Sequence, residues 1–108
     1  KVFVEGEVDM VASVGYNPAR LARGWSLDEI DIRLIVTNLC VFDFGGSAHA
    51  ARLRLLHPGV SAEQVREATG FAIEVPDDVA TTPDPSADEL ALLARLDPHN
   101  LRGSVFGA

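Results

Sequence analysis

The residue types that most often do chemistry are sparse in this chain, and their spacing matches no metal site. Its three histidines, His49, His57 and His99, lie eight and 42 residues apart. Two imidazoles share one helical face and hold a metal when they are three or four residues apart. We therefore expect no metal site. His57, which precedes Pro58 at the end of a predicted strand, is expected to bond to the backbone rather than to act as a general base.

The single thiol and the paired acids also give little indication of a catalytic site. Cys40 is the single cysteine and lies between Leu39 and Val41 in an apolar run, which predicts a buried, inert thiol without a disulfide. Glu5 and Glu7 flank a glycine and are typical of a solvated turn rather than of a catalytic pair. Side-chain chemistry alone therefore identifies no catalytic residue.

Two apolar strands and a glycine turn should form the core. Residues 30–38 alternate between apolar and polar and then become continuously apolar at 34–36, and residues 39–44 repeat this pattern, which is typical of strands that are covered on both faces. Gly45 and Gly46 predict a turn, and the alternation in residues 52–56 predicts the strand that completes a hairpin.

The second half predicts helices and a connector. Capping boxes at Ser61 and Ser86 each predict the start of a helix, and the second helix carries leucines at helical spacing. Residues 71–75 should form a strand. Residues 76–85 are rich in proline and acid and should have no secondary structure, and residues 99–108 should lie along a surface or fray.

The first part of the chain predicts short strands and a loop. Residues 1–14 suit two short strands or one bulged strand, and residues 15–29 suit a loop. Tyr16 and Trp25 in that loop are interpreted as aromatic side chains that pin it to its own domain. The whole pattern indicates one mixed α/β domain without internal repeats.

Composition excludes several classes of partner. The 108 residues include 16 acidic and nine basic ones, a net charge of -7, which repels nucleic-acid phosphates and anionic lipids. No run of about 18 apolar residues is present to span a bilayer. We expect neither nucleic acid nor membrane as a partner, and a cytoplasmic location.

Three segments in fixed order carry a family resemblance. VTNLCVFDF at 36–44, LLHPGVS at 55–61 and VREATGF at 65–71 resemble the C-terminal half of the β subunit of class I CoA-transferases. VPDDV at 75–79 and LDP at 96–98 are similar to the usual ending of such subunits. Within the family, Asn38 and the segment FDFGG at 42–46, with His49 shortly after, resemble the branch that opens a ring of steroid-derived CoA thioesters by hydrolysis.

The resemblance implies a fold, an assembly and a reaction. The fold is an α/β open sheet with flanking helices, and residues 1–108 would be the C-terminal part of a β subunit, without the N-terminal part that carries the catalytic motif. The partner would be an α subunit in an α2β2 enzyme. Coenzyme A would be part of the substrate, with no permanently bound cofactor. In the transferases, a glutamate in an earlier part of the β subunit attacks the thioester, and no residue here matches it.

In the hydrolase branch, the resemblance implies that a carboxylate of the partner subunit acts, so this chain would supply pocket wall and interface. Ligands of α/β folds gather at strand ends. The candidate pocket residues are therefore Asn38, Gly45, Gly46 and His49. Other functions stay open: a CoA-transferase of the 3-oxoacid or glutaconate type, a non-catalytic interface module, or a small-molecule-binding or regulatory domain.

Overall fold

A four-stranded mixed sheet organises the protein. The computed structural model describes residues 15–105, so the strands expected within residues 1–14 lie outside the described part. The strands are β1 (Leu34–Val36), β2 (Cys40–Asp43), β3 (Arg52–Leu56) and β4 (Ala80–Thr81), in the order β1-β2-β3-β4. The first three are antiparallel neighbours, and β4 runs parallel to β3. The predicted α/β open sheet is confirmed.

A threonine closes the turn between β1 and β2. The Thr37 hydroxyl accepts the backbone N–H groups of Leu39 and Cys40 at 3.1 and 3.0 Å and donates to the Cys40 carbonyl at 3.1 Å. These bonds replace ladder bonds within the tight turn, because short polar side chains compete with the ladder for backbone groups.

The first strand is shorter and more open than predicted. Only Leu34–Val36 pair, and Leu34 and Val36 are 46% and 68% exposed, so a strand covered on both faces is wrong for residues 30–38. The reason is position, because β1 pairs only with β2 in the described sheet. β2, in contrast, is buried along its whole length, as predicted.

One helix covers the core. Cys40, Phe42 and Leu53 pack with Val65 of α1 (Ala62–Ala68) into a buried cluster. The predicted capping box is present, because the Ser61 hydroxyl accepts the N–H three residues on and that residue's side chain accepts the Ser61 N–H.

The segment after α1 differs from the prediction in two places. The strand expected over residues 71–75 is reduced to a bridge between Glu74 and Arg52. The connector over residues 76–85 contains β4, where a strand was not expected, and the N–H of Thr82 donates to the Leu56 carbonyl at 2.7 Å. Pro76, which has no backbone donor, lies between the bridge at Glu74 and β4.

The last two helices carry no buried residue. α2 (Ala87–Leu96) begins at the predicted capping box of Ser86, and α3 (Leu101–Val105) follows, where a tail that lies along a surface or frays was expected. The Asp97 carboxylate explains the difference, because it accepts the N–H groups of Leu101 and Arg102 at 2.7 and 3.1 Å. Among the described residues, no helix has the length and apolar character that crossing a bilayer requires.

Candidate functional site

An ion pair anchors the turn between β2 and β3. Arg52 donates to both oxygens of Asp43, from Nε at 2.9 Å and from Nη2 at 2.8 Å, and the Gly45 N–H donates to the same carboxylate at 2.9 Å. The hydrogen bond from Arg52 is the main reason that the pKa of Asp43 is lowered. Asp43 is therefore an ionised structural group at neutral pH, and its oxygens are already engaged.

The two glycines are required by close approach. A Cβ on Gly45 would overlap the Arg52 guanidinium, and a Cβ on Gly46 would lie 2.7 Å from the Ala50 carbonyl oxygen and 2.9 Å from Glu74 Cδ. Their role here is to let backbone and side chains pack tightly.

The backbone donors of this turn are used internally. Besides the Gly45 N–H, the Gly46 N–H donates to the Ala50 carbonyl at 3.2 Å and the Ser47 N–H donates to Glu74 Oε1 at 2.7 Å. A phosphate cradle needs successive N–H groups that are free to point at an anion. In this conformation the turn offers a ligand the His49 side chain rather than these three amides.

His49 is held against a tyrosine of the preceding loop. The short 3-10 turn Ser47–His49 places Ala48 and His49 in the left-handed region, with φ of 50° and 60°. The rings of His49 and Tyr16 stack with centroids 4.4 Å apart and planes 5° apart, and Tyr16 also contacts Phe44 at 5.0 Å. His49 nevertheless stays exposed, so its ring can reach a ligand.

The same tyrosine fixes the loop. The Tyr16 hydroxyl donates toward the carbonyls of Ile32 and Ile30 at 3.1 and 3.3 Å. The loop also contains the 3-10 turns Pro18–Arg20 and Leu27–Glu29. Pinning is confirmed for Tyr16, whereas Trp25 is 59% exposed.

Asn38 lies in the β1–β2 turn and not at the end of a buried strand. Its side chain is exposed and makes no hydrogen bond within residues 15–105. It stands at the rim of a cleft of about 130 Å³ between this turn, β2 and α1. The cleft is lined by Thr37, Asn38, Leu39, Cys40, Phe42, Val65, Ala68 and Thr69.

His57 holds the Asn38 turn in place. Its Nε2 lies 2.8 Å from the Thr37 carbonyl and its Nδ1 lies 2.9 Å from Thr82 Oγ1. A carbonyl only accepts, so Nε2 carries the proton and donates, and in the neutral ring Nδ1 accepts from the threonine hydroxyl. The prediction that His57 bonds to the backbone is confirmed.

The candidate pocket residues fall into two groups. Gly45, Gly46 and His49 follow one end of β2 and Asn38 precedes the other, on the order of 20 Å apart along an extended chain. Each group stays a separate candidate.

Three features that hold the turn between β2 and β3 were not predicted from the sequence. They are the Asp43–Arg52 ion pair, the Glu74 carboxylate and the stacking of Tyr16 on His49. Asp43 and Arg52 are cross-strand partners. The sequence signal that could have predicted the ion pair was an acid within an apolar run, followed by an arginine on the other side of a glycine turn.

The remaining residue types that could do chemistry are the cysteine and the side chains that bind metals. Cys40 is 1% exposed, so the predicted burial of its thiol is confirmed, and that burial raises the pKa of the thiol. Within the described ranges, no three of the His, Cys, Asp and Glu side chains cluster as metal ligands would.

Comparison with known proteins supplies the family. No family model matches the chain. The cholesterol ring-cleaving hydrolase IpdB subunit of Mycobacterium tuberculosis is 41% identical over an alignment of 109 positions, which covers 94% of this chain and 40% of that subunit. The IpdB subunit of Rhodococcus jostii is 39% identical over an alignment of 106 positions, which covers 88% of this chain and 38% of that subunit. One subunit of the 3-oxoadipate CoA-transferase of Pseudomonas knackmussii is 38% identical over 63 residues, or 58% of this chain.

Solved structures agree with this placement. Rhodococcus jostii IpdAB matches with a TM-score of 0.72 and 38% identity, over 91% of this chain and 40% of the matched chain. The decarboxylase AibA/AibB matches with a TM-score of 0.62 and 37% identity, over 69% and 30%. The chain spans about 40% of the length of the curated IpdB subunits. The resemblance seen in the sequence is thus confirmed, and the chain belongs to the class I CoA-transferase family, on the branch that contains the IpdB subunits.

Proposed function

We propose that the protein is part of a heteromeric enzyme that acts on acyl-CoA thioesters, and that its reaction is the hydrolytic opening of a ring in a steroid-derived CoA thioester. The observation that carries the proposal is the 41% identity to an IpdB subunit across 94% of this chain. Because the alignment covers 94% of the chain, it includes both the Asn38 turn and the turn of Gly45, Gly46 and His49.

In this proposal the chain contributes pocket wall rather than the catalytic carboxylate. The one buried carboxylate among the described residues, Asp43, is engaged by Arg52 and by a backbone N–H. Among the candidate pocket residues, the exposed side chains that remain for a ligand are the Asn38 amide and the His49 ring. Contacts to the CoA part, remote from the reacting bond, would supply binding energy that positions the ring. Coenzyme A enters with the substrate, and no cofactor is permanently bound.

The partner in this proposal is an α-type subunit, in an α2β2 assembly located in the cytoplasm. The names IpdAB and AibA/AibB each denote two different chains, which supports a second kind of subunit. The residues that this chain would lend to the shared pocket are those of one of the two turns that flank β2, either the turn of Asn38 or the turn of Gly45, Gly46 and His49.

CoA transfer is the second candidate function. The 38% identity to a subunit of a 3-oxoadipate CoA-transferase favours it, although that match covers 58% of this chain. A transferase would hold CoA as a glutamyl thioester before passing it to an acid. One fold carries different reactions in this family, since a decarboxylase shares it, so the fold does not decide between them.

Native mass spectrometry of the protein, purified with everything that binds it, tests the proposal. With a steroid-derived CoA thioester present, we expect a complex that contains a second kind of subunit and gains the ligand without a covalent adduct. A covalent CoA adduct on a glutamate of that complex would select transfer over hydrolysis. A lone chain that is indifferent to the thioester would refute the enzyme proposal and leave an interface module.

A further inference from the structure

The loop at residues 15–27 carries a charge opposite to that of the whole chain. It contains Arg20 and Arg23 and no acidic residue, in a protein with a net charge of -7. Asp28 and Glu29 follow directly, and Glu29 already accepts a backbone N–H at 2.7 Å. A local excess of positive charge in an otherwise acidic protein attracts anions to that place.

Both guanidinium groups of the loop are available to a ligand. Arg20 and Arg23 are exposed, and neither side chain forms an ion pair or a hydrogen bond within residues 15–105. Four other arginines each pair with a carboxylate, namely Arg33, Arg52, Arg66 and Arg102. A guanidinium is always charged and presents a planar fork of donors that matches the oxygens of a phosphate.

An aromatic side chain follows these two charges in the same loop. Trp25, the single tryptophan of the chain, is 59% exposed. Its indole makes no hydrogen bond or ring contact within the described part of the chain. An exposed indole can stack on a planar base. The loop therefore combines the two kinds of group that recognise a nucleotide, cations for its phosphates and an aromatic face for its base.

Backbone hydrogen bonds fix the conformation of this loop. Pro18–Arg20 form a 3-10 turn that begins at the cap residue Asn17. A second turn sets Arg23 at its corner, because the Trp25 N–H donates to the Ala22 carbonyl at 3.1 Å. A ligand would meet side chains whose backbone is already in place, which lowers the entropy cost of binding.

Tyr16 joins the loop to one of the two candidate turns. Its ring stacks on that of His49 with centroids 4.4 Å apart, and Arg20 follows four residues later, at most about 14 Å along the chain. The backbone amides of the glycine turn are engaged within the protein, so a phosphate near this turn needs donors from elsewhere. The arginines of the loop are such donors.

We infer that the loop at residues 15–27 binds the phosphorylated nucleotide end of coenzyme A, with Arg20 and Arg23 on phosphate oxygens and Trp25 against the base. The inference rests on the proposed function, which makes a CoA thioester the substrate. It goes further by naming the residues that hold the nucleotide, where binding energy is gained far from the reacting bond.

The inference also chooses between the two candidate turns. Because Tyr16 joins the loop to His49, the pantetheine arm runs from the loop toward the His49 turn. The Asn38 turn lies at the other end of β2 and takes no part in binding this ligand.

Calorimetric titration of coenzyme A into the protein, purified with the subunits that bind it, tests the inference. Replacing both arginines, Arg20→Ala with Arg23→Ala, should weaken binding about tenfold, because two exposed ion pairs with phosphate are lost. Trp25→Leu should weaken it about fivefold through lost stacking. Arg95→Ala is the matched control, since Arg95 is also exposed and unpaired within residues 15–105, and it should change nothing.

Salt dependence separates a phosphate contact from a structural role. Raising the salt from about 50 mM to about 500 mM should weaken wild-type binding more than that of the double variant, because screening acts on the charges that the variant lacks. Circular dichroism and native mass spectrometry check that each variant keeps its fold and its partner.

Each contrary result has a distinct meaning. Unchanged affinity in the double variant, or an equal salt dependence, would overturn the inference and leave the proposed function standing. Loss of the second subunit from the variant would also overturn it, because the arginines would then face protein. A wild-type complex that binds no coenzyme A would overturn the inference and the proposed function together.

Discussion

Removing the His57 imidazole should loosen the turn that carries Asn38. The ring joins two segments far apart in the chain, since Nε2 donates to the Thr37 carbonyl at 2.8 Å and Nδ1 lies 2.9 Å from Thr82 Oγ1. His57→Ala breaks both bonds and leaves a partly buried carbonyl without this donor. At about 1 kcal/mol net for each bond, we expect a loss of about 2 kcal/mol in the free energy of unfolding.

A double-mutant cycle isolates the link across the imidazole. Thr82→Val removes the hydroxyl and keeps the side-chain shape, so it should cost about 1 kcal/mol in the wild-type background. In the His57→Ala background the same change should cost little, because its partner is already gone. The coupling energy between the two positions should therefore be about 1 kcal/mol.

Urea unfolding, followed by circular dichroism, measures all four proteins of the cycle. His99→Ala is the matched control, because that histidine is exposed, and it should change stability by less than about 0.5 kcal/mol. A coupling energy indistinguishable from zero would refute the reasoning, since His57 would then not bridge the turn and the connector.

Three further predictions concern the core, the glycine turn and the last helix. Cys40, which is 1% exposed, should react with a thiol reagent only as fast as the protein unfolds. Labelling of the folded protein at the rate of an exposed thiol would contradict its burial. Gly46→Ala should lower stability by about 1–3 kcal/mol in urea unfolding, because its Cβ would lie 2.7 Å from the Ala50 carbonyl oxygen, and an unchanged midpoint would count against that packing. The pKa of Asp97 is lowered from its ordinary 3.8, chiefly because the Arg102 N–H donates to it, so the cap is complete at neutral pH and is lost as the pH falls through the lowered pKa. The NMR chemical shift of the Arg102 amide proton should change with pH as Asp97 titrates, and a shift that stays constant as the pH falls would refute the cap.

Elements with local signals could be predicted from the sequence. Two capping boxes place the starts of α1 and α2, because their hydrogen bonds join residues three apart. β2 could be predicted because its apolar run is buried along its whole length. β4 and α3 could not, since the first depends on pairing with β3 and the second on the carboxylate of Asp97.

The candidate site follows the same division. Asn38, Gly45, Gly46 and His49 were chosen as strand-end residues, and they do flank β2. Successive turns of an antiparallel meander lie at opposite ends of the middle strand, so their separation into two groups needed the strand order and not only the strand positions.

The side-chain partners required the register as well. Asp43 meets Arg52 because the two are paired across the hairpin, which contains an irregularity between Val41 and Phe42. A shift of one residue would have turned either side chain to the other face. The stacking of Tyr16 on His49 depends on the path of a long loop, for which the sequence carries no distance information.

The central claim is that this segment can serve in a steroid-CoA hydrolase, and a pair of chimeras tests it most directly. In one, this chain replaces the matching segment of Rhodococcus jostii IpdB, with the second subunit of IpdAB supplied. In the other, it replaces the matching segment of the 3-oxoadipate CoA-transferase, with that enzyme's own partner chain. The measurement is turnover of each enzyme's CoA thioester, read by mass spectrometry of the products. We predict ring-opened product from the first chimera and no CoA transfer by the second, whereas an inactive but assembled first chimera beside an active second one would contradict the claim.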